Sequence, residues 1–224
     1  MIPDDAGGDC LWVYAAPYLD PDTTRHTLGM VDKDGTTLPL ARSHEAVTAE
    51  VMNRVRRDLT YRRNASPRRL PALMVAHSFV VGGQVSDSER DIRVGGVDSV
   101  PHGVFGGEGE ALDYVALGHL HGPQRVGLAD GPGPMLRYSG SPLAFSFSEM
   151  NHHKSSTLIE FGAHSGVARL ELVEAPVTRR LSEVRGDLEA VLGPRFDSQR
   201  GDWVRVVVTG GSRPNDLVTR VKRA

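Results

Sequence analysis

Two short apolar runs of the chain each end in histidine. Residues 73–76 lead directly into His77, and residues 114–117 lead through a glycine into His119 and His121. The second run is short, continuous and β-favouring, which predicts a strand that is buried on both faces of a sheet covered by helices. Because ligands collect at the carboxyl ends of strands in open α/β sheets, we expect the three histidines to meet at one sheet edge.

The spacing of the second pair of histidines refines this prediction. Gly118 ends the run, and residues two apart in an extended segment point the same way. His119 and His121 can therefore aim at one spot while Leu120 turns back toward the core. Three imidazoles at strand ends predict a metal site with His77, His119 and His121 as ligands. The alternative is a set of unrelated histidines, because the chain contains nine.

The remaining pattern predicts an α/β fold followed by a small second unit. Further strands are predicted at residues 11–16, 135–138 and 203–209, and a hairpin that completes the sheet at residues 157–161 and 167–173. Helices are predicted from Ser43 to about Leu59, over residues 182–192, and after Asp216. The Asp-Pro-Asp sequence at residues 20–22 predicts a turn after the first strand.

Two irregular segments lie near the predicted site. Residues 80–109 are rich in Gly, Ser and Asp, which predicts a long loop over the site, since long loops in compact domains are more often functional than idle. Residues 139–142 predict a turn after the strand at 135–138. This turn is either the rim of a phosphate site, because glycine lets the backbone approach a ligand, or a plain turn.

The composition of the chain limits the number of domains and the cellular location, although less closely than the histidine pattern limits the site. The chain has 224 residues, a formal net charge of -2 and 39% hydrophobic residues, which predicts one domain or one with a small appendage. It has no apolar run of about 18 residues, its N-terminal residues do not resemble a signal peptide, and Cys10 is the sole cysteine. We therefore expect a cytoplasmic protein without a membrane span.

One part of the chain is locally basic, although the chain as a whole is not. Seven arginines fall within a short segment, at Arg54, Arg56, Arg57, Arg62, Arg63, Arg68 and Arg69. Such a cluster either contacts a DNA backbone or an acidic partner, or forms a solvated helix end and loop.

Four sequence blocks, in the same order, resemble one family. These blocks are residues 76–79, 86–92, 118–124 and 137–143. They are similar to the nuclease subunits of bacterial SbcC/SbcD complexes, which are calcineurin-like metallophosphoesterases. The similarity covers most of the chain and weakens after about Glu174. It implies an incomplete metallophosphoesterase sheet sandwich over residues 1–174 and the start of a small α+β capping domain over residues 175–224.

The resemblance also implies a chemistry. His77 and His119 match ligands of one manganese ion and His121 matches a ligand of the other, with magnesium as an alternative metal. Such ions would activate a water for attack on a DNA phosphodiester in DNA recombination and repair. The implied partners are DNA and an SbcC-type ATPase, and the complex would allow a homodimer. Neither Glu89 nor Arg90, which fall in the second block, receives a chemical role from the sequence.

The family's other ligand motifs are not found in the required order. These are an Asp-x-His motif, a Gly-Asp segment and a Gly-Asn-His-Asp motif, so we expect Met1 to begin partway through a longer protein. Because manganese and magnesium prefer oxygen ligands, we predict that this chain alone does not cleave DNA. The alternatives are another calcineurin-like phosphoesterase, or a non-catalytic remnant that docks on the ATPase or on DNA.

Overall fold

The main sheet has six strands, and its four central strands run parallel. The computed structural model describes residues 2–3, 8–89, 99–106, 111–127, 133–162, 166–210 and 215–223. Numbered along the chain but given in spatial order, the strands are β1 (Ile2–Pro3), β2 (Asp9–Ala16), β5 (Ala72–His77), β6 (Tyr114–Gly118), β8 (Met135–Tyr138) and β7 (Gln124–Val126). The two edge strands, β1 and β7, are antiparallel to their neighbours. The predicted α/β class is therefore confirmed in its coarse form, a mixed α/β protein with a parallel sheet.

One long helix supplies much of the core against this sheet. Helix α2 (His44–Ala65) begins at the predicted cap, where the Ser43 hydroxyl accepts a hydrogen bond from the Ala46 amide at 3.1 Å. It extends beyond the predicted end near Leu59. Its buried residues form one hydrophobic cluster with the inward residues of β5 and β6, and the cluster includes Met52, Val55, Leu59, Met74, Val115 and Leu117.

Burial of the two predicted strands differs. Strand β6 is buried at Tyr114, Val115 and Leu117, as predicted. Strand β5 alternates instead, because Met74 lies in the core while Val75 is 45% exposed. Helix α2 packs against the face of β5 that carries Met74, and the opposite face carries the exposed Val75.

The segment after β2 is a helix and not only a turn. Helix α1 (Pro21–Thr27) begins where the Asp20 carboxylate accepts a hydrogen bond from the Asp22 amide, with Pro21 in the first turn. The same residue types serve turns and helix N-termini, which is why the local pattern alone predicts a turn. A short hairpin of β3 (Met30–Val31) and β4 (Thr37–Leu38) follows.

The predicted hairpin is present but does not join the main sheet. Strands β9 (Ser155–Phe161) and β10 (Val167–Glu174) pair antiparallel as a separate two-stranded sheet. The prediction that they complete the main sheet is wrong, because their backbone pairing is with each other. Side chains contact the main sheet, as where Arg137 Nε of β8 donates a hydrogen bond to Thr157 Oγ1 at 3.4 Å.

The C-terminal part contains two parallel strands and two short helices. These elements are β11 (Leu181–Gly186), α3 (Leu188–Leu192), β12 (Trp203–Val208) and α4 (Leu217–Arg223). The predicted helix over residues 182–192 is wrong in its first half, because that half pairs as a strand with β12 and buries Val184 there. Only its second half is helical, capped by Asp187. The predicted strand near residues 203–209 and the helix after Asp216 are confirmed.

Part of the predicted loop over residues 80–109 lies outside the described residues. In the described part, Val80 forms a parallel bridge with Val100, and a short 3-10 helix spans His102–Val104. The described helices of the chain include none with the length and apolar character needed to span a membrane.

The hydroxyl of Tyr138 connects β8 to the segment that follows His77. This side chain is fully buried, donates a hydrogen bond to the Ser78 carbonyl at 2.7 Å and accepts one from the Val80 amide at 2.8 Å. We predict that Tyr138→Phe lowers the free energy of unfolding by about 1–3 kcal/mol, because both backbone groups lose their partner. Urea unfolding measures the change.

A matched control for this substitution is Tyr61→Phe, since Tyr61 is 75% exposed. It should change the free energy of unfolding by less than about 0.5 kcal/mol. Equal unfolding midpoints for the Tyr138 and Tyr61 variants would contradict the assigned role of the buried hydroxyl.

Candidate metal centre

The sheet brings two of the three predicted ligands together. His77 is the last residue of β5 and lies beside Gly118 of β6, so His119 follows at the same sheet edge. The ring centroids of His77 and His119 are 5.4 Å apart, with the rings nearly perpendicular. The predicted approach of these two histidines at adjacent strand ends is therefore observed.

Gly118 accommodates the close approach of the His77 ring. A Cβ atom at position 118 would lie 3.1 Å from Nδ1 of the His77 ring, which is closer than an ordinary van der Waals contact. A larger residue would displace the ring. The glycine of the Gly-His-x-His sequence thus makes room for the histidine of the neighbouring strand.

The backbone of His119 adopts an unusual conformation. Its φ angle is +107°, a region that residues with a Cβ atom rarely occupy. Strained residues of this kind cost on the order of 1–3 kcal/mol and cluster at functional sites. The strain marks His119 as a functional candidate on grounds that are independent of its residue type.

The electrostatics of His77 favour the neutral ring. The Tyr18 ring lies edge-on to it with centroids 6.0 Å apart, and partial burial lowers the pKa of His77. A neutral imidazole has a lone pair to give to a metal ion, whereas a protonated one has none. His77 is therefore suited to metal ligation near neutral pH.

His121 has a different set of neighbours. Its Nδ1 atom lies 2.7 Å from Ser88 Oγ and 3.2 Å from Glu149 Oε1, and its ring lies 5.5 Å from the ring of Phe145. Leu120 is buried in the core, as the alternation of the two histidines with this residue predicts. Ser88 lies in the second sequence block, but it received no role beside His121 from the sequence, and no sequence pattern indicated Glu149.

Charged side chains also hold the backbone of His121. Its amide donates a hydrogen bond to Glu89 Oε1 at 2.8 Å, and its carbonyl accepts one from Lys154 Nζ at 2.9 Å. The Ser141 amide donates to the same carbonyl at 3.1 Å. Glu89 therefore has a structural role that the sequence could not assign, whereas Arg90 lies outside the described residues.

Glu149 and Lys154 form a buried ion pair beside His121. Lys154 Nζ lies 2.5 Å from Glu149 Oε2, and the two side chains are 2% and 0% exposed respectively. Burial alone would raise the pKa of Glu149, but hydrogen bonds from Lys154, Ser88 and His121 outweigh it and lower the pKa to about 2. The carboxylate is therefore ionised and accepts hydrogen bonds only.

The predicted turn after β8 packs against the same backbone. Gly140 has a φ of +81°, and a Cβ atom there would lie 2.7 Å from the His121 carbonyl oxygen. The turn thus supports His121 through close backbone contact. Its alternative use as the rim of a phosphate site stays a prediction.

The three-histidine metal site is not assembled as one cluster. In the parts of the chain that the structure describes, no group of three or more His, Cys, Asp or Glu side chains is placed to hold a metal ion together. His77 and His119 lie together, and His121 lies in the network of Glu149. Joint ligation by His77, His119 and His121 therefore stays a prediction.

The arginine cluster of α2 and the following loop is largely engaged in structural contacts. Four members pair with carboxylates, as Arg54 with Glu50, Arg62 with Asp58, and both Arg63 and Arg69 with Asp113. Arg56 donates hydrogen bonds to the carbonyls of Val104 and Gly106. Five of the seven arginines are therefore engaged within the protein, an arrangement that neither the contact with DNA or an acidic partner nor the solvated helix end and loop predicts.

The parallel sheet with histidines at its strand ends is consistent with the phosphoesterase-like class of α/β proteins. No protein-family model matches the chain. It is 34% identical over 158 residues to the SbcD subunit of the nuclease SbcCD from Escherichia coli strain K12, which covers 68% of this chain and 37% of that protein. We therefore identify the chain as SbcD-like.

Two further proteins of the same name match the chain. The Staphylococcus epidermidis protein is 29% identical over 152 residues, which covers 67% of this chain and 38% of that protein. The Bacillus subtilis protein is 44% identical over 88 residues, which covers 39% and 21% respectively. The chain thus spans less than two fifths of the length of these relatives.

The pKa of Glu149 predicts a loss of stability in acid. The carboxyl has a pKa of about 2 in the folded protein and 4.5 as its ordinary value. Its stabilising contribution is therefore fully present above the ordinary value and is lost as pH falls toward the folded value. In urea unfolding between pH 7 and pH 2, the free-energy difference between the wild type and Glu149→Gln should shrink as the pH falls.

The control for this pH dependence is Glu171→Gln, because the Glu171 side chain is 46% exposed. Its difference from the wild type should stay small at every pH. A difference for Glu149→Gln that stays constant throughout the acid range would contradict the assignment of an ionised, hydrogen-bonded carboxylate.

Proposed function

We propose that this chain carries the histidine part of the metal centre of an SbcD-type DNA nuclease. The observation that carries the proposal is the pair of rings, His77 and His119, 5.4 Å apart at adjacent parallel strand ends in an SbcD-like chain. His77 and His119 would hold one metal ion and His121 the other. When bound, manganese or magnesium ions activate a water and neutralise charge on a DNA phosphodiester.

The residues of the chain fit this role in part. The neutral ring of His77 and the strained backbone of His119 suit ligation. Imidazoles alone suit zinc, copper or nickel better than manganese or magnesium, which prefer oxygen ligands. We therefore propose that the 224-residue chain does not assemble a two-manganese centre by itself and does not cleave DNA alone.

The partners follow from the same proposal. The relatives are named as subunits of the SbcCD nuclease, so we propose an SbcC-type ATPase as the partner and DNA ends as the substrate. The complex would act in recombination and repair in the cytoplasm, and a homodimer within it would present two such sites. The arginine cluster supplies little of the DNA affinity, because five of its seven members pair with carboxylates or carbonyls.

A non-catalytic function is the second candidate. It is favoured by the observation that the described residues hold no cluster of three metal-ligating side chains. In this case the chain would dock on the ATPase or on DNA without cutting. Another calcineurin-like phosphoesterase activity would instead require hydrolysis of a generic phosphodiester.

Metal binding by the purified chain tests the ligand assignment. Titration with Zn²⁺, followed by calorimetry, should give an affinity that falls about tenfold or more in His77→Ala, His119→Ala and His121→Ala, because each removes a ligand. His26→Ala serves as the control, since His26 is exposed in α1. Equal affinities in all four variants would reject these histidines as ligands.

Cleavage assays test the proposed lack of activity. With Mn²⁺ and linear duplex DNA, the wild-type chain and His119→Ala should show the same background, because the described residues group no three metal-ligating side chains into a two-metal site. Manganese-dependent cleavage that His119→Ala abolishes would contradict this expectation.

Two further outcomes would support the alternative functions. Co-purification with an SbcC-type ATPase in the absence of cleavage would support the docking function. Hydrolysis of a chromogenic phosphodiester but not of DNA would support another calcineurin-like phosphoesterase activity.

A further inference from the structure

We infer that Glu149 is a positioning residue that keeps the proton of the His121 ring on Nδ1, so that Nε2 is presented as the ligand atom for a divalent cation. The arrangement of the ring rests on its contacts with Ser88 and Glu149. The identity of what binds Nε2 rests on the proposed function. No sequence motif pointed to Glu149, which lies in the short 3-10 helix Phe147–Glu149.

The hydrogen-bond partners of Glu149 indicate which nitrogen of the His121 ring carries the proton. Oxygen Oε2 of Glu149 faces the ammonium group of Lys154 at 2.5 Å, and a carboxylate paired in this way offers only lone pairs. Oxygen Oε1 accepts a hydrogen bond from the Ser88 hydroxyl and lies 3.2 Å from His121 Nδ1. A neutral ring can approach this oxygen favourably only if Nδ1 is the protonated nitrogen.

Ser88 fits the same assignment. A hydroxyl has one proton, and that of Ser88 is directed to Glu149. At its contact of 2.7 Å with His121 Nδ1, Ser88 Oγ therefore accepts. Both neighbours of Nδ1 are acceptors, and both favour the same tautomer.

The other ring nitrogen is left for a ligand. Within the described parts of the chain, the hydrogen bonds of the His121 ring involve Nδ1, and the side chain is 24% exposed. A carboxylate behind a histidine fixes its tautomer and orientation and raises the basicity of the opposite nitrogen. Glu89 and Lys154 hold the backbone on either side, so the ring has a defined direction.

The inference is tested by the tautomer of His121 in solution. The full chain, labelled with ¹⁵N-histidine and free of metal, is studied near neutral pH by long-range ¹H–¹⁵N correlation. The His121 signals are assigned from their loss in His121→Gln. We expect a protonated Nδ1 and an unprotonated Nε2 in the wild type. The opposite tautomer, an exchanging mixture of both, or a ring protonated on both nitrogens would overturn the inference.

Substitutions separate positioning from general stability. In Glu149→Gln the amide oxygen stays toward Lys154 and the amide nitrogen turns to the ring, so the proton should move to Nε2. Ser88→Ala should keep the proton on Nδ1, because Glu149 still accepts it. Glu160→Gln, an exposed carboxylate of β9, should leave the tautomer unchanged. An unchanged tautomer in folded Glu149→Gln would overturn the inference, and if that variant does not fold, the tautomers of the wild type and of Ser88→Ala decide.

A titration with Zn²⁺ alone distinguishes this inference from the proposed function. The inference expects the His121 Nε2 signal to shift on zinc addition, and the affinity to fall about tenfold to a hundredfold in Glu149→Gln. If the tautomer is as expected but the His121 signals do not respond to zinc, the proposed metal site and the ligand role of Nε2 are both rejected. A zinc response with the proton on Nε2 would overturn the positioning role of Glu149 and leave the metal site standing.

Discussion

The buried pair of Glu149 and Lys154 is the interaction on which the order of the candidate site depends. Removing two charges from water costs several kcal/mol per ion, and their attraction offsets this cost only when further hydrogen bonds complete the shell. Here the shell is complete on both sides: Glu149 accepts from Ser88 and His121, and Lys154 donates to the Ser141 hydroxyl and the His121 carbonyl. Such a pair tolerates few alternative arrangements, so it specifies the positions of the segments that meet around it.

The two halves of the site are held by different physical means. His77 and His119 are placed by strand register, because β5 and β6 pair in parallel and Gly118 leaves space for the neighbouring ring. His121 lies beyond the end of β6 and has no strand partner to place it. Its position depends on Glu89, Glu149 and Lys154, whose charged groups bind its amide, ring and carbonyl in turn.

The similarity to SbcD subunits and the geometry of the site give different information about the histidines. The matched region includes the histidines but spans less than two fifths of the length of the relatives. The structure adds a strained His119, a His77 whose pKa is lowered by partial burial, and a carboxylate behind His121, none of which the similarity gives. These features suit ligation, while in the described residues no three His, Cys, Asp or Glu side chains are placed to hold a metal ion together.

The local sequence pattern predicted the secondary structure correctly where residues close together along the chain determine it. The apolar runs predicted β5 and β6, Ser43 predicted the start of α2, and the pattern at residues 157–161 and 167–173 predicted the hairpin of β9 and β10. Where a short segment had two compatible structures, pattern failed: residues 181–186 form a strand because β12 pairs with them, and residues 21–27 form a helix after a turn-like start.

By itself, the amino-acid sequence determined the α/β class and the convergence of His77 and His119, because both follow from strand runs and their termini. Only the tertiary structure decided the surroundings of His121. Ser88 and Glu149 are 61 residues apart, and Glu89 is 32 residues from His121. The pattern of apolar and polar residues along the chain therefore could not predict their contacts. Hydrogen bonds between such distant groups form only when the whole chain has packed, and burial then makes each of them costly to lose.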